Sequence, residues 1–502
     1  MTDSHHTSEL PKGWAWTELK EIAIEINSGF PSGRWKRGAE NGVLHLRPMN
    51  IDTKGKIELT DVKYVQAEGY DALSKGDVIF NNTNSPELLG KTACIREDTN
   101  WAYSNHMTRI RFFPSLMEPA FIGHYLHFLF RNGYFKTRCV HHVNQASIGK
   151  DFLSKMHIPF PPSSEQKRIV TKLDELFACL DTGIEGLRKV KAQLKRYRQA
   201  VLKYAFEGKL TEEWRKTHRD QMEPTTRMLE QKEHQKKVKT EGDSTENPLI
   251  DTSTLPKLPE SWVWTRLSDI AEKIVDGSHN PPPKQAMGIP MLSAQNILNN
   301  EIVFSKCRYI SENDYREETG RALIEANDVL LTIVGTIGRS AVVKESMPKF
   351  AVQRSVAVIK SSVKAEYLSF QFQSPFYSSY FMKNAKGTAQ KGIYLNQLEK
   401  LPIVLAPIPE QNLIVEEIES QFSLVDKLQE AMELSSKQSE RLRQSILTAA
   451  FDGRLVPQDT SDEPAEKLLE RIKAERAESK GENDMNRRKN KPRQLELSTY
   501  VK

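Results

Sequence analysis

The residues whose types and spacing could do chemistry are few. Ser85-Pro86-Glu87-Leu88-Leu89-Gly90-Lys91-Thr92 has the outline of a phosphate-binding loop, in which backbone N–H groups cradle phosphate and a lysine reaches over it. Ser85 stands where that loop needs its first glycine, so the backbone cannot readily wrap a phosphate, and a strand, a tight glycine turn and a second strand account for the stretch better. Asn280-Pro281-Pro282 begins the tetrapeptide that grips a base flipped out of a duplex, but Pro283 replaces the ring on which the base would stack. No glycine-rich strand-loop-helix is present to hold a methyl donor. His5-His6 and His141-His142 are neighbours along the chain with no cysteine or carboxylate pattern around them, so they read as surface histidines rather than metal ligands. Cys94, Cys139, Cys179 and Cys307 form neither a zinc pattern nor a disulfide framework. With no nucleophile-base constellation and no paired carboxylates, the chain reads as a non-catalytic recognition protein with no metal or cofactor of its own.

Recognition residues are easier to find. Ser28 to Arg37 combines turn formers with Arg34, Trp35, Lys36 and Arg37, a mixture suited to lying on a phosphate backbone while presenting side chains to base edges. Asn82, Asn84 and Lys91 form a second cluster, and Asn144, Gln145 and Lys150 a third. Later in the chain the matching places hold His279, Lys284 and Gln285, then Gln295, then Arg339, and finally Lys386, Gln390 and Lys391. Asn, Gln and Arg suit bidentate contacts to adenine and guanine edges, so these are the candidate DNA-binding residues.

The elements that must position them are written twice. Glu165 to Leu210 recurs as Glu410 to Leu455 with no gap, aligning Phe177 with Phe422, Asp181 with Asp426, and Ala205-Phe206-Glu207-Gly208 with Ala450-Phe451-Asp452-Gly453. Leu10-Pro11-Lys12-Gly13-Trp14-Ala15-Trp16-Thr17 recurs as Leu258-Pro259-Glu260-Ser261-Trp262-Val263-Trp264-Thr265. Each repeated stretch reads as one long helix carrying a narrow apolar seam that cannot be buried alone. The seam residues are Ile169, Leu173, Leu176, Leu180, Leu187, Leu194 and Val201 in the first copy and Ile414, Ile418, Val425, Met432, Leu442 and Ile446 in the second. Val190, Tyr197 and Tyr204 continue the first seam; Gln429, Ser435 and Ser439 interrupt the second with a polar waist. The economical arrangement packs the two helices antiparallel about a pseudo-twofold axis.

Between each Leu-Pro-x-x-Trp-x-Trp-Thr opening and its helix lie short apolar runs broken by Gly, Asn and Pro, the pattern of a mixed α+β domain. A helix is predicted near residues 119–135, with a counterpart near 366–382. The expected organisation is a globular domain over residues 1–160, a long helix over 161–210, a charged segment and linker over 211–257, a second globular domain over 258–405, a second long helix over 406–455, and a charged helix with a disordered end over 456–502. Short amphipathic helices are expected after each long one, over 223–239 and 463–480, with disorder from Gly481 onward. The basic cluster Arg487, Arg488, Lys489, Lys491 and Arg493 reads as a solvated tail.

Composition agrees with a large multidomain chain with charged linkers and exposed helices. It has 502 residues, 38% of them hydrophobic, and a net charge of +6, which is compatible with an anionic partner without specifying one. No apolar leader or membrane-spanning run is evident, so a cytoplasmic protein without a membrane partner is expected.

The duplicated plan, with its Leu-Pro-x-x-Trp-x-Trp-Thr openings, EQxxI helix starts at Glu165 and Glu410, and the endings Ala205 to Leu210 and Ala450 to Leu455, resembles the specificity subunit of type I restriction-modification systems. The resemblance implies two tandem target-recognition domains separated by two long antiparallel coiled-coil helices. Each domain would read one half of a bipartite double-stranded DNA site, with the helices setting the spacer. It also implies two methyltransferase subunits and restriction-translocase subunits as partners. Those partners would supply S-adenosylmethionine binding, adenine methylation, and the ATP- and Mg-dependent restriction steps. The alternative is a coiled-coil protein-interaction scaffold without DNA specificity, which would lack the steep salt dependence of DNA binding.

Overall fold

The computed structural model describes residues 9–31, 42–66, 69–219, 225, 250–298, 300–387 and 391–489, with side chains to 478. It divides into two compact units, residues 1–186 with 434–502, and residues 187–433. Each unit takes a share of both long helices, which run Ser163–Phe206 and Ile408–Phe451, 44 residues each and about 66 Å long.

In the first unit the strands are β1 (Ala15–Glu18), β2 (Glu25–Ser28), β3 (Val43–Leu46), β4 (Lys63–Val65), β5 (Val78–Asn81), β6 (Thr83–Asn84), β7 (Thr92–Cys94), β8 (Ala102–Tyr103), β9 (Met107–Arg111), β10 (Val140–His141), β11 (Ala146–Ser147) and β12 (His157–Phe160). A four-stranded antiparallel sheet has the order β2-β9-β5-β7, and a three-stranded sheet the order β4-β3-β8. β1 pairs with β12, and β10-β11-β6 form a small third sheet. The run Val78-Ile79-Phe80 shows no polar alternation because both faces of β5 are covered. Val78 and Phe80 face a core shared with Phe121, Ile122 and Leu126 of the helix Pro119–Arg131, while Ile79 faces Leu44, Leu46 and Tyr103.

The second unit repeats this plan with β13 (Val263–Arg266), β14 (Ala271–Asp276), β15 (Ile289–Leu292), β16 (Ile297–Leu298), β17 (Glu301–Ile302), β18 (Arg308–Ile310), β19 (Val329–Thr332), β20 (Ser340–Val342), β21 (Ala351–Val352), β22 (Val356–Ser361) and β23 (Pro402–Leu405). Its sheets run β14-β22-β19-β20, β18-β15-β21, β13-β23 and β16-β17. The helix expected near 366–382 is two helices, Ala365–Phe372 and Pro375–Asn384, because Pro375 forces the preceding Ser374 out of the helical region.

The turn with the outline of a phosphate loop is a strand connection. Gly90 sits at φ +92° with its α-carbon against the Phe135 ring, and Gly338 repeats the arrangement at φ +90° against Phe381. A Cβ at Gly90 would lie 2.3 Å from Phe135, so glycine is required both for the turn and for the ring that packs on it.

Within each unit the two helix segments run antiparallel and are fastened by the same three residue types. In the first unit Arg443 donates to Asp181 at 2.6 Å and lies over the Phe177 ring at 4.3 Å. In the second, Arg198 donates to Asp426 and lies over Phe422 at 4.7 Å. Arg198 and Arg443 occupy matching positions in the repeat, as do both partners, so each helix gives an arginine in one unit and receives one in the other. The first clasp is the more buried: Arg443 is 2% exposed against 23% for the Arg198 side chain, and Lys54 and Lys56 also reach Asp181.

The seam is buried toward the helix ends and, in the second helix, as far in as Val425. Ile169, Leu173, Ile446 and Val201, Ile414, Ile418 and Val425 are interior, while Leu176, Leu180, Leu187, Leu194 and Met432 are half-buried. Leu442 is 50% exposed and does not pack in the seam, correcting its assignment, and Val190, Tyr197 and Tyr204 are likewise turned to the surface. Phe177, Phe206 and Phe451, outside the periodic pattern, fill the space instead, because the globular domain and not only the other helix covers these segments. Gln429, Ser435 and Ser439 at the waist are half-buried.

The helix after the second long one, Ala465–Lys489, packs Ala465, Leu468 and Ile472 into the first unit's core. It runs past Gly481, where disorder was expected; the expected helix over 223–239 lies outside the described residues apart from Thr225. Among the described residues no helix is long and apolar enough to cross a membrane.

Candidate nucleic-acid interface

One end of each four-stranded sheet carries the loops. In the first unit this end is marked by Ser28 opposite Thr108 and by Asn81 opposite Met107. Phe30 is seated there by its N–H to the Tyr103 carbonyl at 3.1 Å, and its own carbonyl accepts from Asn105 at 3.2 Å. The chain leaves the described residues at Pro31, so Arg34, Trp35, Lys36 and Arg37 lie outside them.

Asn82 and Lys91 do not face a ligand. Asn82 is 7% exposed and donates to the Thr108 hydroxyl at 2.8 Å and the Asn105 carbonyl at 3.2 Å, tying the bases of the loops together. Lys91 is 4% exposed, and its Nζ donates to the carbonyls of Pro48 and Ile51. Burial pulls the Lys91 pKa below the ordinary lysine value against the charges of Asp52 and Glu58. Both are therefore supports for the neighbouring loops, and their assignment as DNA contacts is corrected: each spends its donors on buried carbonyls or hydroxyls.

Asn84, Gln145 and Lys150 are brought together at the loop end. Asn84 pairs with Ala146 across β6 and β11, Gln145 lies in the turn between β10 and β11, and the Lys150 ammonium reaches Asn27 at 3.3 Å. The hairpin also presents His141, His142, Val143 and Asn144, all exposed. Of these only Asn144 stood among the recognition candidates, the two histidines having read as plain surface residues, because β10 and β11 are two residues long and are anchored by the distant β6, which leaves no local periodicity.

In the second unit the equivalent end gathers His279, Arg339, Lys386 and Lys391. His279 Nε2 is 2.7 Å from Asp276, which also accepts from Arg321 at 2.9 Å. The Lys386 N–H bonds the Gly392 carbonyl beside Val334, with Lys391 next to it, while Gln390 lies outside the described residues. Arg339 is half-buried in the turn into β20, its N–H held by the Thr332 hydroxyl at 2.9 Å. Gln295 is exposed at the end of β15, donating to the Lys306 carbonyl at 3.2 Å. Lys284 and Gln285 stand apart, along the outer edge of β18, where the Gln285 N–H bonds the Tyr309 carbonyl. Arg354, exposed beside Ser278, joins this end without any motif to announce it.

Each domain's opening tryptophan is set beside a buried carboxylate at the start of a long helix, and the two copies differ. Glu410 accepts from Trp262 Nε1 at 2.7 Å, Thr211 at 2.6 Å and Arg215 at 2.9 Å. At the matching positions near Glu165 the threonine is Val456 and the arginine is Thr460. Glu165 is 2% exposed with Oε1 lacking a hydrogen-bond partner, and burial raises its pKa despite Trp14 and Arg168.

This architecture, two copies of a domain with a loop-bearing sheet end and a share in two long helices, is matched by known proteins. The family profile described as Type I restriction modification DNA specificity domain covers residues 11–194 and 259–433. The chain belongs to that family and is a type I restriction-modification specificity subunit. It is 31% identical over 338 residues to the EcoBI specificity subunit of Escherichia coli, covering 64% of this chain and 65% of that one. It is 26% identical over 496 residues to the EcoKI specificity subunit of Escherichia coli strain K12, covering 94% and 97%. Among solved structures, the HsdS subunit from Thermoanaerobacter tengcongensis aligns with a TM-score of 0.50 at 18% identity over 90% of this chain and all of that one. A chain from a study of complex assembly and conformational transition of the type I R-M system aligns at 0.59 and 19% identity, over 89% and 100%.

Proposed function

We propose that the loop end of each globular domain reads one half of a bipartite double-stranded DNA site, and that the paired helices fix the spacing between the halves. The observation that carries this reading is the repetition of one scaffold with different side chains at its loop end. His141, His142, Val143 and Asn144 stand on the first domain's hairpin where the second has Lys386, Gly387, Thr388 and Ala389 in sequence, and only Gln145 is matched, by Gln390. A repeated frame with divergent tips suits two unlike half-sites held in one register.

In this reading the chemistry belongs to partners. Methyltransferase subunits bring S-adenosylmethionine and methylate an adenine in each half, and restriction-translocase subunits use ATP and Mg. The support for a protein partner is the apolar surface left on the helices, where Val190, Tyr197, Tyr204, Leu424 and Leu428 of the second unit are each more than 40% exposed. Single-molecule methylation sequencing of a methylation-free host carrying this chain and its neighbouring methyltransferase gene tests the proposal. A bipartite motif with methyladenine in each half is expected, altered or lost when the chain is truncated after Glu207. A stable complex that leaves no motif would refute it and favour the scaffold reading.

A further inference from the structure

The hairpin β10-β11 is built differently from the rest of the first domain's loop end. Its base is rigid: β11 pairs with β6, the Ile148 N–H bonds the Asn82 carbonyl at 2.9 Å, and Ala146 and Ile148 are buried in the core. The turn is closed by the His142 N–H to the Gln145 carbonyl at 2.7 Å, and the His142 ring lies 3.0 Å from the Ser147 hydroxyl. Its tip is bare. Val143 is 100% exposed and Val140 61%. Asn144 and Gln145 are exposed as well, and among the described residues their side-chain amides have no hydrogen-bond partner. Two exposed valines around two free amides, on a ribbon anchored at its root, form a preorganised tip with nothing of its own to bind.

Resting on the reading that this domain binds DNA, we infer that the hairpin Val140–Ser147 enters the major groove and reads an A·T pair of the first half-site. A two-stranded ribbon, with strands about 4.8 Å apart, fits a groove about 12 Å wide. An Asn or Gln amide donates to adenine N7 and accepts from N6, and an apolar side chain packs on the thymine methyl. Asn144 and Gln145 supply the amides and Val143 the apolar contact. Lys150, at the ribbon's root, is placed for a phosphate. At the matching place the second domain has Lys386 and Lys391, with Gln390 standing where the first has Gln145 and Ala389 where it has Asn144.

The test uses the complete chain with its methyltransferase subunits. The variant N144A/Q145A and the variant V143A are each compared with the unaltered complex by methylation sequencing, and by equilibrium binding to duplexes substituted at every position of the motif. The expected result is relaxed preference at one or two A·T pairs in one half of the motif, by about tenfold to a hundredfold, with the other half and the spacing unchanged. An unchanged motif in both variants overturns the inference. So does a uniform loss of affinity across all sequences, which would assign the hairpin to the phosphate backbone. Relaxation at a G·C pair overturns the assignment to adenine. If the unaltered complex itself has no motif, the failure lies with the DNA-reading proposal and not with the hairpin.

Discussion

Replacing Arg443 with alanine should loosen the first unit far more than the matching substitution of Arg198 loosens the second, although both arginines make the same two contacts. Arg443 is interior, so its bond to Asp181 has the strength of a charged hydrogen bond, about 1.5–3 kcal/mol. Its stacking on Phe177 is desolvated and adds about 1–2 kcal/mol. Asp181 keeps Lys54 and Lys56, which holds the loss below the cost of orphaning a buried charge, so about 3–4 kcal/mol is expected. Arg198 is 23% exposed and its partner Asp426 60%, a surface pair contributing about 0.2–1 kcal/mol, and the ring contact adds about 0.5–1 kcal/mol. Hydrogen exchange on the full chain reads each unit separately. R443A should speed exchange of the amides around Leu173 to Thr182 by two to three orders of magnitude, whereas R198A should speed those around Phe422 by roughly tenfold, at about 1.4 kcal/mol per decade. Equal effects, or a larger effect of R198A, would refute the argument that burial separates the two clasps.

Other substitutions give equally direct tests. The raised pKa of Glu165 means that its folded state favours the protonated form, so its stabilising contribution is present at acid pH and lost as pH rises through the folded value. Glu165→Gln should therefore raise the melting temperature of the first unit at neutral pH and flatten its pH dependence, while Glu410→Gln, which removes the charge facing Arg215 and turns an amide N–H2 onto at least one of three donors, should lower that of the second. Gly90→Ala should destabilise the first unit by about 1–3 kcal/mol in urea melts, through backbone strain and displacement of Phe135. Leu424→Glu with Leu428→Glu should leave the chain's own melting curve nearly unchanged and weaken co-purification with the methyltransferase subunit by at least tenfold if this face docks it.

The repeat made the long helices and the doubled α+β plan readable, because Trp14 and Trp262, Glu165 and Glu410, and the two Ala-Phe endings sit at fixed offsets. The recognition surface was harder to see. Polarity nominated Asn82 and Lys91, yet both are interior, since a long cationic side chain can be absorbed by the carbonyls of an irregular loop as readily as by solvent. The hairpin tip was half-visible as Asn144 and Gln145, but its strand partner lies more than sixty residues earlier at Thr83 and Asn84, a pairing that no local pattern encodes. Leu442 continued the seam by spacing alone; the neighbouring domain, not the helix period, decides which face of the helix is covered. The matching arginines of the clasps could have been noticed beside the aligned phenylalanines and aspartates, but their reciprocal use appears only once the chain is folded.

The first unit is closed by residues from both ends of the chain, and this sets a clock on its synthesis. Phe451 packs against Phe121 and Tyr125, Pro11 lies against Gly453, Ala465 bonds the Gly13 carbonyl, and Leu468 and Ile472 complete the core begun by Leu19 and Ile22. The ribosome delivers Ile472 almost 290 residues after Gly186, about 15–60 s later at ordinary elongation rates. Throughout that interval the nascent amino-terminal domain carries an uncovered apolar flank, whereas the second unit is one uninterrupted stretch that can close as soon as Glu433 emerges. The half of the protein made first is thus the half finished last, and chaperone occupancy during translation should concentrate on it.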